Sequence, residues 1–136
     1  MEKMENYSAN GKSAIGLEAN LAAAIGYPIG ILGLINFIIE KENKFVKFHG
    51  IQSVLYSVAV GAVFTVIWIV LIILAIILSA VSDMLGMVIW ILNVLVVLGF
   101  LLVMFGGLLF GAFKAYQGQL FKFPIIGNLA EKIAVK

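Results

Sequence analysis

The polar side chains at the start of one long apolar stretch are the residues in this sequence best suited to chemistry. His49 is the single histidine, and Gln52, Ser53 and Tyr56 follow it. The spacing is i, i+3, i+4 and i+7, so a helix would place all four side chains on one face. Polar groups on one face of a membrane helix usually hydrogen-bond to neighbouring helices. We expect Asn36, in the preceding apolar segment, to be their partner.

Catalysis by this cluster would need groups that the sequence does not supply. Ser53 and His49 could pair as nucleophile and base, but no acid is evident to orient the imidazole. A metal site would need more ligands than one histidine and scattered carboxylates, and the absence of cysteine excludes disulfides and thiolate sites. We therefore predict no enzyme activity, no catalytic residue, no metal and no cofactor.

A second role for His49 remains open beside the structural one. Phe45, Phe48 and two lysines, Lys44 and Lys47, surround it in the sequence. Such a basic aromatic stretch suits the headgroup zone of a membrane, where His49 could contact lipid headgroups or a partner at the cytoplasmic mouth. An imidazole in that position could also respond to pH.

The composition places these residues in a membrane protein. Of 136 residues, 63% are hydrophobic and 12% are charged, whereas an ordinary soluble domain has about 25% charged residues. The mean hydropathy is +1.15. The net charge is only +2 and every cation is a lysine, which argues against recognition of nucleic acid.

Three apolar segments predict an all-α membrane protein with three transmembrane helices and a short C-terminal amphipathic helix. The segments cover residues 17–39, 50–80 and 84–113, and each can cross a hydrocarbon core of about 30 Å. The predicted organisation is a polar, mobile N-terminal tail at 1–16, a three-helix transmembrane domain at 17–118 and an interfacial helix at 119–136.

Proline and glycine modify two of these helices. Pro28 lies inside the first segment and predicts a kink with close packing through Gly26 and Gly30. The alternative is a broken helix that lines a substrate path. Gly107 and Gly111 form a GxxxG pair in the third segment, which serves either internal packing or self-association.

The lysines predict the orientation in the cell membrane. With three spans, the first loop and the C-terminus share one side of the membrane. That side carries Lys41, Lys44, Lys47, Lys114, Lys122, Lys132 and Lys136, and the other side carries Lys3 and Lys12. The positive-inside rule then places the C-terminus in the cytoplasm and the N-terminus outside.

The C-terminal region has its own pattern. Gly118 suits the end of the third helix, and Pro124 suits the first turn of a new one. Ile125, Leu129 and Ile133 recur at i, i+4 and i+8, so a helix would place them on one face. We predict a helix that lies on the membrane or packs beneath the bundle.

Two ordered patterns resemble a known family. The pattern E-K-x-N-x-F-V-x-F-H-x-x-Q-S falls on Glu40, Lys41, Asn43, Phe45, Val46, Phe48, His49, Gln52 and Ser53. The second falls on Ala115, Tyr116, Gly118, Pro124, Ile125, Gly127, Ala130 and Lys132. They resemble a family of small, mostly uncharacterised prokaryotic membrane proteins, which is similar in turn to the Tic-type membrane subunit of chloroplast protein import.

That resemblance implies a non-enzymatic membrane scaffold or accessory subunit, linked to protein translocation. The rival hypothesis is an oligomeric channel or small-solute transporter. The expected partners are membrane lipids and either further copies of the chain or other subunits of a membrane complex.

Overall fold

A computed structural model describes residues 7–136, and five α-helices form most of this range. They are α1 (Ala19–Ile25), α2 (Gly30–Ile39), α3 (Lys44–Val81), α4 (Asp83–Tyr116) and α5 (Ile126–Val135). Within the described range, the β-structure is one isolated bridge between Lys12 and Glu18. The prediction of an all-α fold is confirmed.

The chain divides into two compact units. Unit 1 comprises the chain up to Ser57 together with Gly107–Lys136, and unit 2 is Val58–Gly106. The helices α3 and α4 contribute to both units, whereas α1, α2 and α5 belong to unit 1 alone. Every lysine among residues 7–136 falls in unit 1, and Asp83 is the single charged residue of unit 2.

The two longest helices correspond to the second and third predicted segments. α3 has 38 residues and α4 has 34, and both are long and apolar enough to cross a membrane. A 38-residue helix is about 57 Å long, so α3 exceeds the hydrocarbon core. At the end of α4, Gly118 has a φ of 74° and its N–H donates to Ala115 O at 2.9 Å. This is a glycine C-cap, as predicted.

The first apolar segment is not one helix, and the prediction of a continuous kinked span there is wrong. α1 has 7 residues and α2 has 10, with a non-helical turn between them. Pro28 lies in that turn and has no N–H to continue α1. Neither helix approaches the roughly 20 residues that a span requires. The described chain therefore has two long candidate spans and one shorter apolar helix, α2.

The α1–α2 hairpin returns to the end from which it started. The Ala14 N–H donates to the Glu40 carboxylate at 2.7 Å, just after α2. The Asn20 amide, at the start of α1, donates to the Tyr116 carbonyl at 3.1 Å, at the end of α4. Residues this close cannot lie on opposite sides of a membrane about 30 Å thick. The prediction of opposite sides is therefore wrong for the described N-terminal segment, while residues 1–6, including Lys3, lie outside the described range.

The rest of the predicted tail is folded onto unit 1. Tyr7 and Ser13 are buried, and the Asn43 amide donates to the Asn10 carbonyl at 3.3 Å. Glu40 also accepts from the Asn43 N–H at 3.1 Å. Residues 7–16 thus differ from a mobile tail, because buried side chains and backbone hydrogen bonds hold them.

Unit 2 is an apolar helical pair with little core of its own. Phe64 and Phe100 stack with ring centroids 4.0 Å apart, which joins α3 to α4. Asn93 donates to the Ile89 carbonyl at 3.0 Å and contacts the Leu71 carbonyl at 3.5 Å. Only 6% of the most apolar window of each long helix is buried. Such an exposed aliphatic surface is typical of helices that face lipid.

Candidate functional site: a buried polar clamp in unit 1

Three side chains in unit 1 form a hydrogen-bonded chain, which we name the polar clamp: Tyr27, His49 and Gln52. The Tyr27 oxygen lies 2.8 Å from His49 Nδ1. Gln52 Nε2 donates to the same Tyr27 oxygen, also at 2.8 Å. Since Tyr27 has a single hydroxyl proton, this proton donates to Nδ1, and the neutral imidazole then carries its proton on Nε2.

Gln52 also binds the segment that precedes α5. Its Nε2 donates to the Phe121 carbonyl at 2.9 Å, and its Oε1 accepts from the Phe123 N–H at 3.3 Å. Both ends of one amide are therefore engaged. Gln52 joins α3 to the turn of the α1–α2 hairpin and to the α4–α5 connection, three parts of the chain that are distant in sequence.

The polar clamp is sealed from its surroundings. His49 and Gln52 are 0% exposed and Tyr27 is 1% exposed. The rings of Phe45 and Phe48 meet the imidazole edge-on, with centroids 4.5 Å and 5.1 Å away. An ion in such a site would lose its hydration, so the geometry favours a neutral imidazole.

Burial also acts on the tyrosine, which lies outside the two long helices. It raises the pKa of the Tyr27 hydroxyl above its ordinary value of 10.0, and the hydrogen bond with Gln52 opposes that rise. Tyr27 therefore stays protonated over the physiological range and remains a hydrogen-bond donor. The backbone of Gln119 lies near the His49 ring, but His49 Nε2 makes no hydrogen bond within the described chain.

The partner expected for His49 is elsewhere. Asn36 is buried, but its amide donates to the Ala22 carbonyl at 2.8 Å and so joins α2 to α1. The prediction that Asn36 would partner His49 is wrong, because the break at Pro28 brings Tyr27 to the imidazole instead. Asn36 still serves the interhelical role expected of a buried amide in an apolar helix.

Ser53 does not form a nucleophile with His49. Its hydroxyl is directed at two backbone carbonyls, Gly26 O at 3.1 Å and Gly50 O at 2.9 Å. This contact spans the hairpin and α3. Ser53 is only 1% exposed and its hydroxyl bonds to backbone acceptors, so its role is structural.

Glycines allow the aromatic parts of this site to pack. A methyl group at Gly111 would fall 2.5 Å from the Tyr27 ring, and one at Gly107 would overlap Tyr56. Tyr56 in turn stacks on Phe123 with centroids 4.5 Å apart. Of the two roles open for the GxxxG pair, these contacts assign it to packing inside unit 1.

The second sequence pattern surrounds the same site. The Tyr116 carbonyl accepts from Asn20, and Gly118 ends α4. Pro124 opens the turn before α5. Gly127 is buried against the Lys122 backbone and Gln52, where a side chain would not fit.

Sequence reasoning missed Tyr27, Phe121 and Phe123 as members of the site. The clearest available signal was at Tyr27, which sits between Gly26 and Pro28 where a broken helix could expose it to a neighbour. The backbone groups of Phe121 and Phe123 carry no signal in side-chain type, because it is their carbonyl and N–H that contact Gln52.

Two cavities of different character lie away from the polar clamp. One in unit 1 has about 480 Å³ and is lined mainly by polar residues, among them Ser8, Asn10, Lys12 and Glu42. One in unit 2 has about 360 Å³ and is lined by aliphatic and aromatic side chains from α3 and α4. Within residues 7–136, no group of three His, Asp or Glu side chains is placed to hold a metal ion.

Comparison with known proteins identifies the family. Residues 12–130 match the Magnetosome magnetite crystal formation protein family, MamF/MmsF. The chain belongs to this family. Among its relatives is a UPF0132 membrane protein of Methanocaldococcus jannaschii, 34% identical over 128 residues that cover 90% of this chain and 94% of the relative. A UPF0132 membrane protein of Archaeoglobus fulgidus is 32% identical over 117 residues, covering 85% and 95%.

No solved structure matches the chain. The MamF/MmsF match and the archaeal relatives confirm the resemblance to small prokaryotic membrane proteins. They give no support to the likeness with the Tic-type subunit. The chain is thus a membrane protein of the MamF/MmsF family.

Proposed function

We propose that the chain is a non-enzymatic integral membrane scaffold or accessory subunit whose polar clamp holds unit 1 in shape. One observation carries the proposal. The histidine and glutamine of the sequence pattern are fully buried and bonded to Tyr27 and to backbone groups of the chain itself. Side chains used in this way stabilise a surface and leave no reacting atom exposed to a substrate.

The proposed topology has α3 and α4 as the two spans, with α1 and α2 as a re-entrant hairpin. The lysines of the described residues then fall on one side, and the positive-inside rule makes that side cytoplasmic. Cysteines introduced as Ser8→Cys and Lys136→Cys should both label from the cytoplasmic side of the cell membrane. An Asp83→Cys variant should label from the other side. Labelling of Ser8→Cys from outside would reject this topology.

The rival function is an oligomeric channel or small-solute transporter. The larger cavity of unit 2 is lined by side chains such as Val63, Phe64 and Phe100, which offer an ion no replacement for its hydration shell. This observation favours the scaffold.

The family description names magnetite crystal formation, a role for which exposed carboxylates would be the natural groups. Glu40 receives N–H groups of Ala14 and Asn43, and Glu131 pairs with Lys122 at 2.7 Å. These two carboxylates are engaged within unit 1, whereas Glu18, Glu42 and Asp83 are exposed. Scaffolding is preferred on the burial of the polar clamp.

A reconstitution experiment tests the scaffold against the rival. Purified protein in liposomes should give no ion or solute flux above that of protein-free liposomes. A His49→Gln variant should lower the melting temperature in detergent, because it removes a buried hydrogen-bonded ring, and leave the flux unchanged. Flux that rises with protein content and is abolished by His49→Gln at an unchanged melting temperature would overturn the proposal.

A further inference from the structure

The C-terminal helix buries its small side chains, while Leu129 and the preceding Ile125 are exposed and Ile133 is half-buried. Its buried positions are Gly127, Ala130 and Ala134. Ile125, just before the helix, is 85% exposed, and Leu129 is 49% exposed. We name Ile125, Leu129 and Ile133, which recur every fourth residue, the C-terminal apolar stripe. A helix packed on a water-soluble core places such residues inside, so this stripe requires an apolar neighbour outside unit 1.

The backbone before α5 is strained in a way that displays the first residue of the stripe. Ile125 has φ 65° and ψ −57°, and the Ile126 N–H donates to the Pro124 carbonyl at 2.7 Å. These values define a γ-turn with positive φ, a rare and strained conformation. For a β-branched residue it is a marked outlier. Because the Ile125 side chain is mostly exposed, its own packing within unit 1 does not explain the strain.

The charges beside the stripe indicate what it meets. Lys132 and Lys136 are exposed on α5, while Glu131, the one acid of the helix, pairs with Lys122. On α4, Lys114 is the first charged residue after Asp83. A lysine that ends so long an uncharged helix marks the level of the headgroups, and clustered lysines favour anionic lipids.

Aromatic residues at the end of α4 continue this surface. Phe113 is 57% exposed and Tyr116 is 59% exposed, one turn apart and on either side of Lys114. Exposed aromatic side chains at a helix end, next to a lysine, are typical of a membrane–water interface. The last turn of α4 and the C-terminal apolar stripe therefore both expose apolar side chains next to lysines.

We propose that the C-terminal apolar stripe inserts into the headgroup–acyl boundary of an anionic leaflet, with Ile125 deepest and the lysines of α5 on the phosphates. The proposal rests on the two-span arrangement proposed above. It gives the strained γ-turn a use, since the turn directs an isoleucine away from unit 1 and into lipid. It also means that unit 1 binds the leaflet whose anionic lipids attract its lysines.

Depth-dependent quenching can test this insertion in the whole protein. The chain has no cysteine, so single variants can carry one polarity-sensitive fluorophore each. Ile125→Cys is the probe, and Asn128→Cys, exposed on the polar side of the same helix, is its matched control. Each is placed in nanodiscs that hold one chain, made from phosphatidylcholine with or without phosphatidylglycerol. The quencher is a lipid with a spin label high on its acyl chain.

We expect the probe at 125 to be quenched at least about twofold more strongly than the probe at 128. Phosphatidylglycerol should increase this difference, and a Lys132→Gln/Lys136→Gln background should remove the increase. Equal, weak quenching at both positions in both lipids would overturn the proposal. So would quenching at 125 that is present in single-chain discs but lost in crowded liposomes, since a second copy would then cover the stripe.

A probe in unit 2 separates this failure from failure of the topology. Leu95→Cys lies on α4 and its side chain is 58% exposed. Strong quenching there by a deeply labelled lipid, with none at 125, rejects the insertion alone. Weak quenching at both positions rejects the two-span arrangement as well.

Discussion

Units 1 and 2 are built on the same two long helices but pack by different physical rules. In unit 1, α3 carries the fully buried His49 and Gln52, and hydrogen bonds to two other parts of the chain, the turn after α1 and the segment before α5, fix their positions. In unit 2, α3 and α4 meet through Phe64 and Phe100 and expose most of their aliphatic surface. The difference teaches that buried polar side chains specify the packing of unit 1, whereas unit 2 packs mainly by apolar contact, with the Asn93 amide contacting the Leu71 carbonyl.

Close glycine packing is the sharpest test of that contrast and has the largest expected effect. A methyl group at Gly50 would lie 2.6 Å from the Gly33 carbonyl and 3.0 Å from the Phe37 N–H. Because backbone cannot yield easily, Gly50→Ala should lower the free energy of unfolding by about 3 kcal/mol. Unfolding in mixed detergent micelles measures this.

The matched control is Gly99→Ala on α4 in unit 2, where the added methyl group meets open space. It should leave stability unchanged or raise it by up to about 1 kcal/mol through helix propensity. Equal losses in both variants would break the comparison between the units.

The two buried amides give the next test. Gln52→Leu would leave Tyr27 and the backbone of Phe121 and Phe123 without their partner, at a cost of about 2 kcal/mol. Asn93→Leu in unit 2 removes a side chain whose buried Oδ1 has no hydrogen bond within the described chain, so it should be neutral or stabilising. The same unfolding assay measures both variants. A larger loss for Asn93→Leu would reverse the contrast.

Relief of the γ-turn is a smaller effect of opposite sign. Ile125→Gly should raise the free energy of unfolding in detergent by about 1 kcal/mol, because glycine adopts positive φ without strain. Leu129→Gly, a substitution of similar size within α5, should lower it. A loss of stability in Ile125→Gly would show that the isoleucine side chain, and not the backbone, dominates at this position.

The ion pair of unit 1 should contribute least. Lys122 and Glu131 are 2.7 Å apart, but their side chains are 35% and 23% exposed. Solvent screening limits such a pair to about 0.5 kcal/mol. A double-mutant cycle with Lys122→Gln and Glu131→Gln measures the coupling, which should fall further at high salt. A coupling several times larger would make charge, as well as the polar clamp, a determinant of unit 1.

Much of the fold could be predicted from the sequence. Hydropathy alone located α3 and α4, since a run of apolar residues with one aspartate between Lys47 and Lys114 has few stable alternatives to helices in lipid. Helical spacing also placed His49, Gln52, Ser53 and Tyr56 on one face, and Gly118 marked the end of α4. These are local properties, set by side-chain type and by period.

The first apolar segment shows where local reasoning stops. Its length matched a span, yet whether Pro28 kinks a helix or breaks it depends on what the freed backbone meets. Here Ser53 donates to the Gly26 carbonyl, Asn36 to the Ala22 carbonyl, and Tyr27 bonds to His49. Those contacts stabilise the break, and none can be read from the segment itself.

The sequence by itself thus determined a helical membrane chain with two long apolar helices, because composition and period act locally. Only the tertiary structure decided that Tyr27, not Asn36, completes the site of His49. It also decided that Asn10 lies beside Asn43, just before α3. Both outcomes depend on hydrogen bonds between residues far apart in sequence, whose partners are chosen by three-dimensional packing.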